Sequence, residues 1–222
     1  MAMIFQPDRV LLTKQIQKYA RYVTGSVLDV GAGSISRYRE LFHCDEYVRM
    51  DVVAGPNVDI VGSAEQIPFD EAHFDAIVCT QVLEHIPHPT EACREFFRVL
   101  KPGGILLLTV PQMNELHEEP ADYWRYTRFG LERLFTEQGF TIVDIDQRGG
   151  FFALKAQTNI RYLIDRLHLF SNKWSWALKP FIKIYGLTMM HLDSLDRTAA
   201  NRKHALGWCV VAKKPLAEKP RL

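Results

Sequence analysis

Val27-Leu28-Asp29-Val30-Gly31-Ala32-Gly33 is a short apolar run that ends in an acid and two alternate glycines. Glycine has no Cβ, so at 31 and 33 the backbone can take positive φ values and come close to a ligand. The pattern predicts a strand over 26–30 that turns sharply into the next element, with Asp29 at the strand's carboxyl end. In an open parallel sheet, ligands lie just beyond the carboxyl ends of the strands. The turn therefore marks the expected binding site.

Outward from this turn, the chain alternates between two periodicities. Leu12, Ile16, Tyr19 and Val23 recur at helical spacing and predict a helix over 9–23 that Gly25 ends. Tyr38, Leu41 and Phe42 predict a second helix after the glycine turn. Apolar runs at 47–51, 58–61, 74–79, 105–110, 140–145 and 207–212 predict further strands, and continuous runs suit strands covered on both faces. Pro89 is placed to open a helix to about Leu100, which Lys101-Pro102-Gly103-Gly104 is expected to stop. Leu131, Leu134, Phe135 and Gln138 predict another helix, broken at Gly139. The alternation defines an α/β fold with a doubly wound, mostly parallel sheet.

A chain of 222 residues, 47% apolar and 24% charged, suits one globular domain over 1–222. The formal net charge of +1 gives no general reason to expect a nucleic-acid partner. Cys44, Cys79, Cys93 and Cys209 have no C-x-x-C spacing, so buried reduced thiols are expected and no metal site is. Residues 1–9 lack the basic segment and apolar core of a signal peptide. No uncharged apolar segment approaches the roughly 18 residues that cross a bilayer. A cytoplasmic location is expected.

The segment 156–204 is too long for a plain connection and is expected to hold helices of its own. From Lys155 to Lys183 it carries six Lys or Arg and one acid, Asp165, interleaved with Phe170, Trp174, Trp176 and Phe181. Such an insertion between strands six and seven reads as an extra core layer, a lid, or a surface in peripheral contact with a membrane. A flexible tail is expected over 214–222.

Two ligand classes use a glycine-rich turn followed by an acid on the next strand. A dinucleotide fingerprint G-x-G-x-x-G needs glycine at 36, where this chain has Ser36, although Asp51 lies 22 residues after Asp29. The remaining motifs point elsewhere. Asp29-Val30-Gly31-Ala32-Gly33, Asp51, Gly62-Ser63-Ala64-Glu65-Gln66-Ile67-Pro68-Phe69, Phe74-Asp75, Gln81-Val82-Leu83-Glu84-His85-Ile86 and Arg98-Val99-Leu100-Lys101-Pro102-Gly103-Gly104 together resemble the class I S-adenosylmethionine-dependent methyltransferases of the type 11 family. The resemblance covers about residues 24–150. It implies a Rossmann-like, seven-stranded sheet whose last strand is antiparallel and inserted beside the fifth.

The resemblance also implies S-adenosylmethionine as cofactor, with Asp29, Gly31, Ala32, Gly33, Asp51, Val52, Ser63, Ala64, Glu65 and Gln81 around it. A carboxylate at 29 would favour the sulfonium and orient the amino-acid end. Asp51 offers acceptor oxygens for both ribose hydroxyls. By resemblance Ser63, Ala64 and Glu65 border the adenine, and Gln81 the methionine portion. The chain departs from the family at Ile35, where many members have a third glycine, and at Ser63, where an acid is common.

Methyl transfer from a sulfonium is an in-line displacement with a neutral leaving group, so positioning the acceptor supplies much of the catalysis and a base is optional. His85 is expected on the methyl side of the cofactor, as a base or as a residue that orders its loop. The stretch from His117 to Thr127 is rich in binding side chains: His117 and Tyr123 join His85 as catalytic candidates, Trp124 and Tyr126 as acceptor contacts, and Thr127 as a helix cap. The expected activity moves the methyl group to a small-molecule, glycan or lipid-linked acceptor. A non-catalytic binding module on the same fold and an NAD-dependent oxidoreductase are the alternatives; Asp29, Gly31, Gly33 and Asp51 argue against the first, and Ser36 against the second.

Overall fold

The computed structural model describes residues 4–33, 37–171 and 175–216. Ile35, Ser36, Trp174 and positions 217–222 of the expected tail lie outside the described residues. The chain divides into two compact units: a sheet unit of Gln15–Pro111, Leu116–Asp146 and Trp208–Leu222, and a helical unit of Met1–Lys14, Gln112–Glu115 and Gln147–Gly207.

Helix α1 spans Pro7–Tyr19 and precedes the sheet. Among the described residues, β1 (Ser26–Val30), β2 (Glu46–Asp51), β3 (Ile60–Val61), β4 (Phe74–Thr80), β5 (Leu100–Pro111), β6 (Thr141–Arg148) and β7 (Gly207–Lys213) form one sheet in the order β3-β2-β1-β4-β5-β7-β6. β1 pairs in parallel with β2 and β4, and β4 with β5. The last strand runs against β5: Lys214 exchanges backbone hydrogen bonds with Gly103 and Gly104, while Gln112 donates to Leu206. This is the inserted antiparallel strand that the resemblance implies. The chain reverses its direction of strand addition between β1 and β4, and at such a switch point the diverging connections leave a crevice.

Helix α2 (Pro89–Val99) starts on Pro89 as expected and buries Ala92, Cys93, Phe96 and Val99. Helix α3 (Arg128–Glu137) is capped by Thr127, whose Oγ1 accepts from the Gly130 N–H at 3.1 Å. Two expectations are corrected. After the glycine turn the described residues hold a single 3-10 turn, Arg39–Leu41, in place of a helix. The N–H groups of Asp45 and Glu46 both bond the Gly25 carbonyl, so the chain must already be back at the start of β1 by residue 45. Second, Lys101 to Gly104 are part of β5: Phe74 pairs with Leu100 but Ala76 with Ile105, a bulge in the ladder. A Cβ on Gly104 would stand 2.9 Å from the Lys101 carbonyl oxygen, which explains the glycine.

All four cysteines are free; Cys79, Cys93 and Cys209 are buried, and Cys44 is half-buried. Lys214, at the start of the expected tail, is anchored: its Nζ donates to the carbonyls of Phe97 and Leu100 at 2.6 and 2.7 Å.

In the helical unit, α4 (Phe151–Arg166) begins five residues before the expected insertion and is followed by α5 (Ser175–Leu195) and α6 (Ala199–Arg202). Ile4, Ile160, Ile164, Leu169 and Ile182 make its core, and the buried Arg148 guanidinium pairs with Asp8 at 2.7 Å. The first turn of α4 has no side-chain cap of its own, since Gly150 is the N-cap. Its N–H groups are satisfied from far along the chain. Asp193 accepts from Gly150, Phe152 and Ala153 at 2.8 to 3.2 Å, and Asn201 accepts from Phe151 at 2.6 Å. A carboxylate also complements the positive end of the helix dipole. Asp193→Ala leaves three donors without that acceptor and should lower stability by about 2 kcal/mol, with Asp193→Asn intermediate, as measured by urea unfolding.

Candidate active site

The carboxyl ends of β1, β2 and β4 meet at a cavity of about 350 Å³, within the range of small-molecule sites. Gly31, Gly33, Asp51, Val52, Ser63, Ala64, Glu65, Gln81 and His85, all expected from the sequence, line it. Asp29, Ala32, His117, Tyr123, Trp124 and Tyr126 are not part of its wall, whereas Met50, Gly62, Val82, Pro87 and Glu118, which were not expected, are.

The glycine turn is built by two constraints. Gly31 has φ of +73°, and a Cβ there would lie 2.2 Å from Val82 Cγ2, so both conformation and space demand glycine. The N–H groups of Gly31 and Ala32 both donate to the Met50 carbonyl, at 2.9 and 3.2 Å. They tie β1 to β2 and are not offered to a ligand. Gly33 has φ of +63°, and among the described residues nothing lies within 4 Å of a built Cβ, so that side is open. Its N–H donates to Asp51 Oδ2 at 2.9 Å, and Asp51 Oδ1 accepts from Val53 N–H at 3.0 Å. Those bonds fix the carboxylate, and each oxygen retains a second lone pair.

Asp29 is 7% exposed and accepts a hydrogen bond from the Tyr47 hydroxyl at 2.8 Å. Burial pushes its pKa up to about 6, against the pull of Tyr47 and of the Arg49 charge. Gln81 is a non-glycine residue at φ of +56°. Its N–H bonds the Thr109 carbonyl and its Nε2 donates to Thr109 Oγ1 at 3.2 Å, so β5 holds it in that sparsely populated conformation. Ser63 Oγ accepts from Glu65 N–H, and Glu65 Oε1 accepts from His88 N–H at 2.9 Å.

On the other side of the cavity, a short turn over Leu83–His85 is fastened to the loop after β5. The N–H groups of Tyr123 and Trp124 donate to the Glu84 carbonyl, the Tyr126 hydroxyl to the Leu83 carbonyl, and Trp124 Nε1 to the Ile86 carbonyl. Arg125 forks onto Asp122 at 2.6 and 2.7 Å, which holds that carboxyl well below the usual carboxylate range. Tyr126 is buried, Trp124 is partly exposed, and the Tyr123 ring is half exposed. His85 Nδ1 stands 2.6 Å from the Ala121 carbonyl. A carbonyl only accepts, which assigns the proton to Nδ1 and the lone pair to Nε2. His117 packs edge-on against His85 with ring centroids 4.8 Å apart. Of the residues not foreseen, Glu118 lies in the stretch flagged as rich in binding side chains; Val82 and Met50 are apolar wall positions without a chemical signal.

Residues 12–108 match the methyltransferase domain family. An uncharacterized methyltransferase of Schizosaccharomyces pombe is 39% identical over 97 residues, covering 38% of this chain and 38% of that protein. The ubiquinone/menaquinone biosynthesis C-methyltransferase UbiE of Bartonella tribocorum is 45% identical over 135 residues, covering 51% of each. The chain thus spans about half or less of the length of these relatives. The 1,6-didemethyltoxoflavin-N1-methyltransferase of Burkholderia thailandensis, solved with 1,6-didemethyltoxoflavin and S-adenosylhomocysteine bound, shares the fold at a TM-score of 0.57 and 15% identity, covering 94% of this chain and 79% of that one. In its motifs, its fold and the match over residues 12–108, the chain is similar to the class I S-adenosylmethionine-dependent methyltransferases. S-adenosylmethionine is the cofactor of that class.

The raised pKa of Asp29 has a stability consequence. An unfolded aspartate titrates near ~3.9, so between that value and about 6 the folded state holds the extra proton, and stability falls as pH rises through this window. Asparagine keeps an acceptor for Tyr47. Thermal unfolding of Asp29→Asn should therefore give a higher Tm than the unaltered protein at pH 7.5, a gain of up to about 3 kcal/mol that vanishes below pH ~4.

Proposed function

We propose that this chain moves the methyl group of S-adenosylmethionine to a small-molecule acceptor carried on, or drawn from, a lipid surface. The observation that carries the first half is the Asp51 carboxylate, fixed by Gly33 and Val53 N–H groups in the cavity wall beside the open face of Gly33. The residues present suit the donor. Asp51 accepts from both ribose hydroxyls, Val52 lies against the same end, and Ser63, Ala64 and Glu65 border the adenine. Gly31, Ala32 and Gly33 shape the turn that receives the amino-acid end, with Gln81 beside it. Asp29, buried beneath, supplies negative potential for the cation. The bound donor supplies a methyl group on a positively charged sulfur. On the acceptor side, His85 Nε2 takes a proton from the acceptor, and His117, Tyr123, Trp124 and Tyr126 order or contact the acceptor loop.

The lipid half is supported by α5. Trp176, Phe181 and Ile184 are 67%, 70% and 64% exposed, on a helix that also carries Lys179 and Lys183. Exposed rings and branched apolar chains beside lysines suit the boundary of an anionic bilayer. No helix among the described residues is long and apolar enough to cross a membrane. The name of the UbiE relative, which acts in ubiquinone and menaquinone biosynthesis, agrees with an apolar acceptor.

Calorimetric titration with S-adenosylmethionine and S-adenosylhomocysteine tests the donor: both should bind, and Asp51→Ala should weaken binding by roughly 100-fold, about 2.7 kcal/mol. Absence of binding to the unaltered protein would overturn the reading. The surface is tested by sedimentation with phosphatidylglycerol vesicles, which should pellet the protein, while Trp176→Ser with Phe181→Ser should leave it in the supernatant. If the unaltered protein stays in solution, the acceptor is a free small molecule or glycan.

A further inference from the structure

Glu84, His85 and His117 come together from two separate segments, with one potential ligand atom from each, all within 4.8 Å of one another. Glu84 is fully buried, and its Oε1 stands 4.0 Å from His85 Nε2 and 4.0 Å from His117 Nε2. A fourth group, Glu118 Oε2, lies 3.9 Å from His85 Nε2. We infer that Glu84, His85 and His117 form a binding site for a divalent transition-metal ion, with Glu118 as a movable fourth ligand.

Three features beyond proximity support this assignment. The first is ring orientation. His85 presents Nδ1 to the Ala121 carbonyl at 2.6 Å, and His117 presents Nδ1 to Asp122 Oδ2 at 3.5 Å, so both rings turn Nε2 toward the same Glu84 oxygen. A backbone carbonyl behind one imidazole and a carboxylate behind the other is how metal-bound histidines are oriented and kept in the ligating tautomer. The second is rigidity of these outer partners. Asp122 is pinned by two bonds from Arg125 and by the His117 N–H at 3.0 Å, and the turn carrying Glu84 is fastened through its carbonyl by Tyr123 and Trp124. The third is reach. Ligands on a tetrahedral ion at ~2.0–2.2 Å stand about 3.4 Å apart, so closure asks each side chain to move by less than ~1 Å.

The donor set defines the chemistry. Two imidazoles and one or two carboxylates favour zinc, iron(II), cobalt(II) or nickel(II) over magnesium or calcium, which prefer all-oxygen sites. His85 and Glu118 also line the cavity, so the ion would sit at its rim with open coordination positions. With the ion bound, His85 Nε2 is a ligand and not a base. The ion's role, holding an acceptor oxygen in reach of the methyl group, then replaces proton transfer to His85 and rests on the methyl-transfer reading, whereas binding of the ion does not. Cysteine spacing in the sequence gives no sign of this site, because its ligands converge only in three dimensions.

Cobalt(II) is the probe, added to chelator-treated, tag-free protein comprising residues 1–222. One equivalent should bind with absorption bands between about 500 and 650 nm, and excess zinc should erase them. His117→Gln and Glu84→Gln should each weaken binding at least 10-fold, and His85→Ala with His117→Ala should abolish it. S-adenosylmethionine titration and circular dichroism on the same samples report folding and the donor site independently. Absence of stoichiometric cobalt, or binding unchanged by the double substitution in folded protein, overturns the site and leaves two imidazoles that merely pack edge to face.

Discussion

The contact of Gly31 with Val82 is the constraint on which the sheet unit's chemistry depends. A left-handed residue with no Cβ lets the end of β1 pass within van der Waals reach of the turn that follows β4. Because the Gly31 and Ala32 N–H groups are spent on Met50, the same turn locks β1 to β2. The direction of Gly33 follows, and with it the bond that aims Asp51 into the cavity. A side chain at 31 would push β1 from β4 and release all of these at once, which is a stronger reason for glycine than closeness to a ligand.

The aromatic loop after β5 serves the structure more than its composition suggests. Its side chains look, in the sequence, like a ring of acceptor contacts. Much of their polarity is instead consumed inward: Tyr126 and Trp124 donate to main-chain carbonyls of the turn after β4, and Arg125 is committed to Asp122. That spending orders the imidazoles. The backbone on both sides of His85 and His117 is bolted down, so the residues that read as binders act as the frame that positions both imidazoles beside one carboxylate.

The strands were legible because continuous apolar runs at 26–30, 74–79 and 105–110 admit few other readings, and the glycine turn located the cavity without further help. Three features resisted. The helix expected around Tyr38 has the right spacing, but closure onto Gly25 leaves no room for it, a tertiary limit that periodicity does not register. The Lys101-Pro102-Gly103-Gly104 stretch signals a break, and it is one, though inside a strand, where the bulge is visible only through the pairing of β4. Glu84 and His117 are more than 30 positions apart, and nothing local couples them. Asp193 capping α4 belongs to the same group: the acceptor is far away in sequence from the helix it completes.

The charge distribution around the cavity bears on how the proposed reaction would turn over. Asp51, Glu65 and Glu118 line it and Asp29 lies buried below, with no lysine or arginine among the described residues of the wall. A carboxylate in a partly desolvated site attracts a cation by several times what it would in water. S-adenosylmethionine carries its positive sulfur only until transfer; the product's sulfur is neutral while its ribose, adenine and amino-acid end are unchanged. The hydrogen bonds to those parts therefore serve donor and product alike, and only the electrostatic contribution distinguishes them. In the proposed reaction Asp29 would hold this balance at a cost, since burial opposes its ionised form and raises its pKa to about 6. A carboxylate so placed makes the folded protein less stable at neutral pH; in the proposed reaction it would also give the cavity a preference for the charged donor, a trade that a site built for stability alone would not retain.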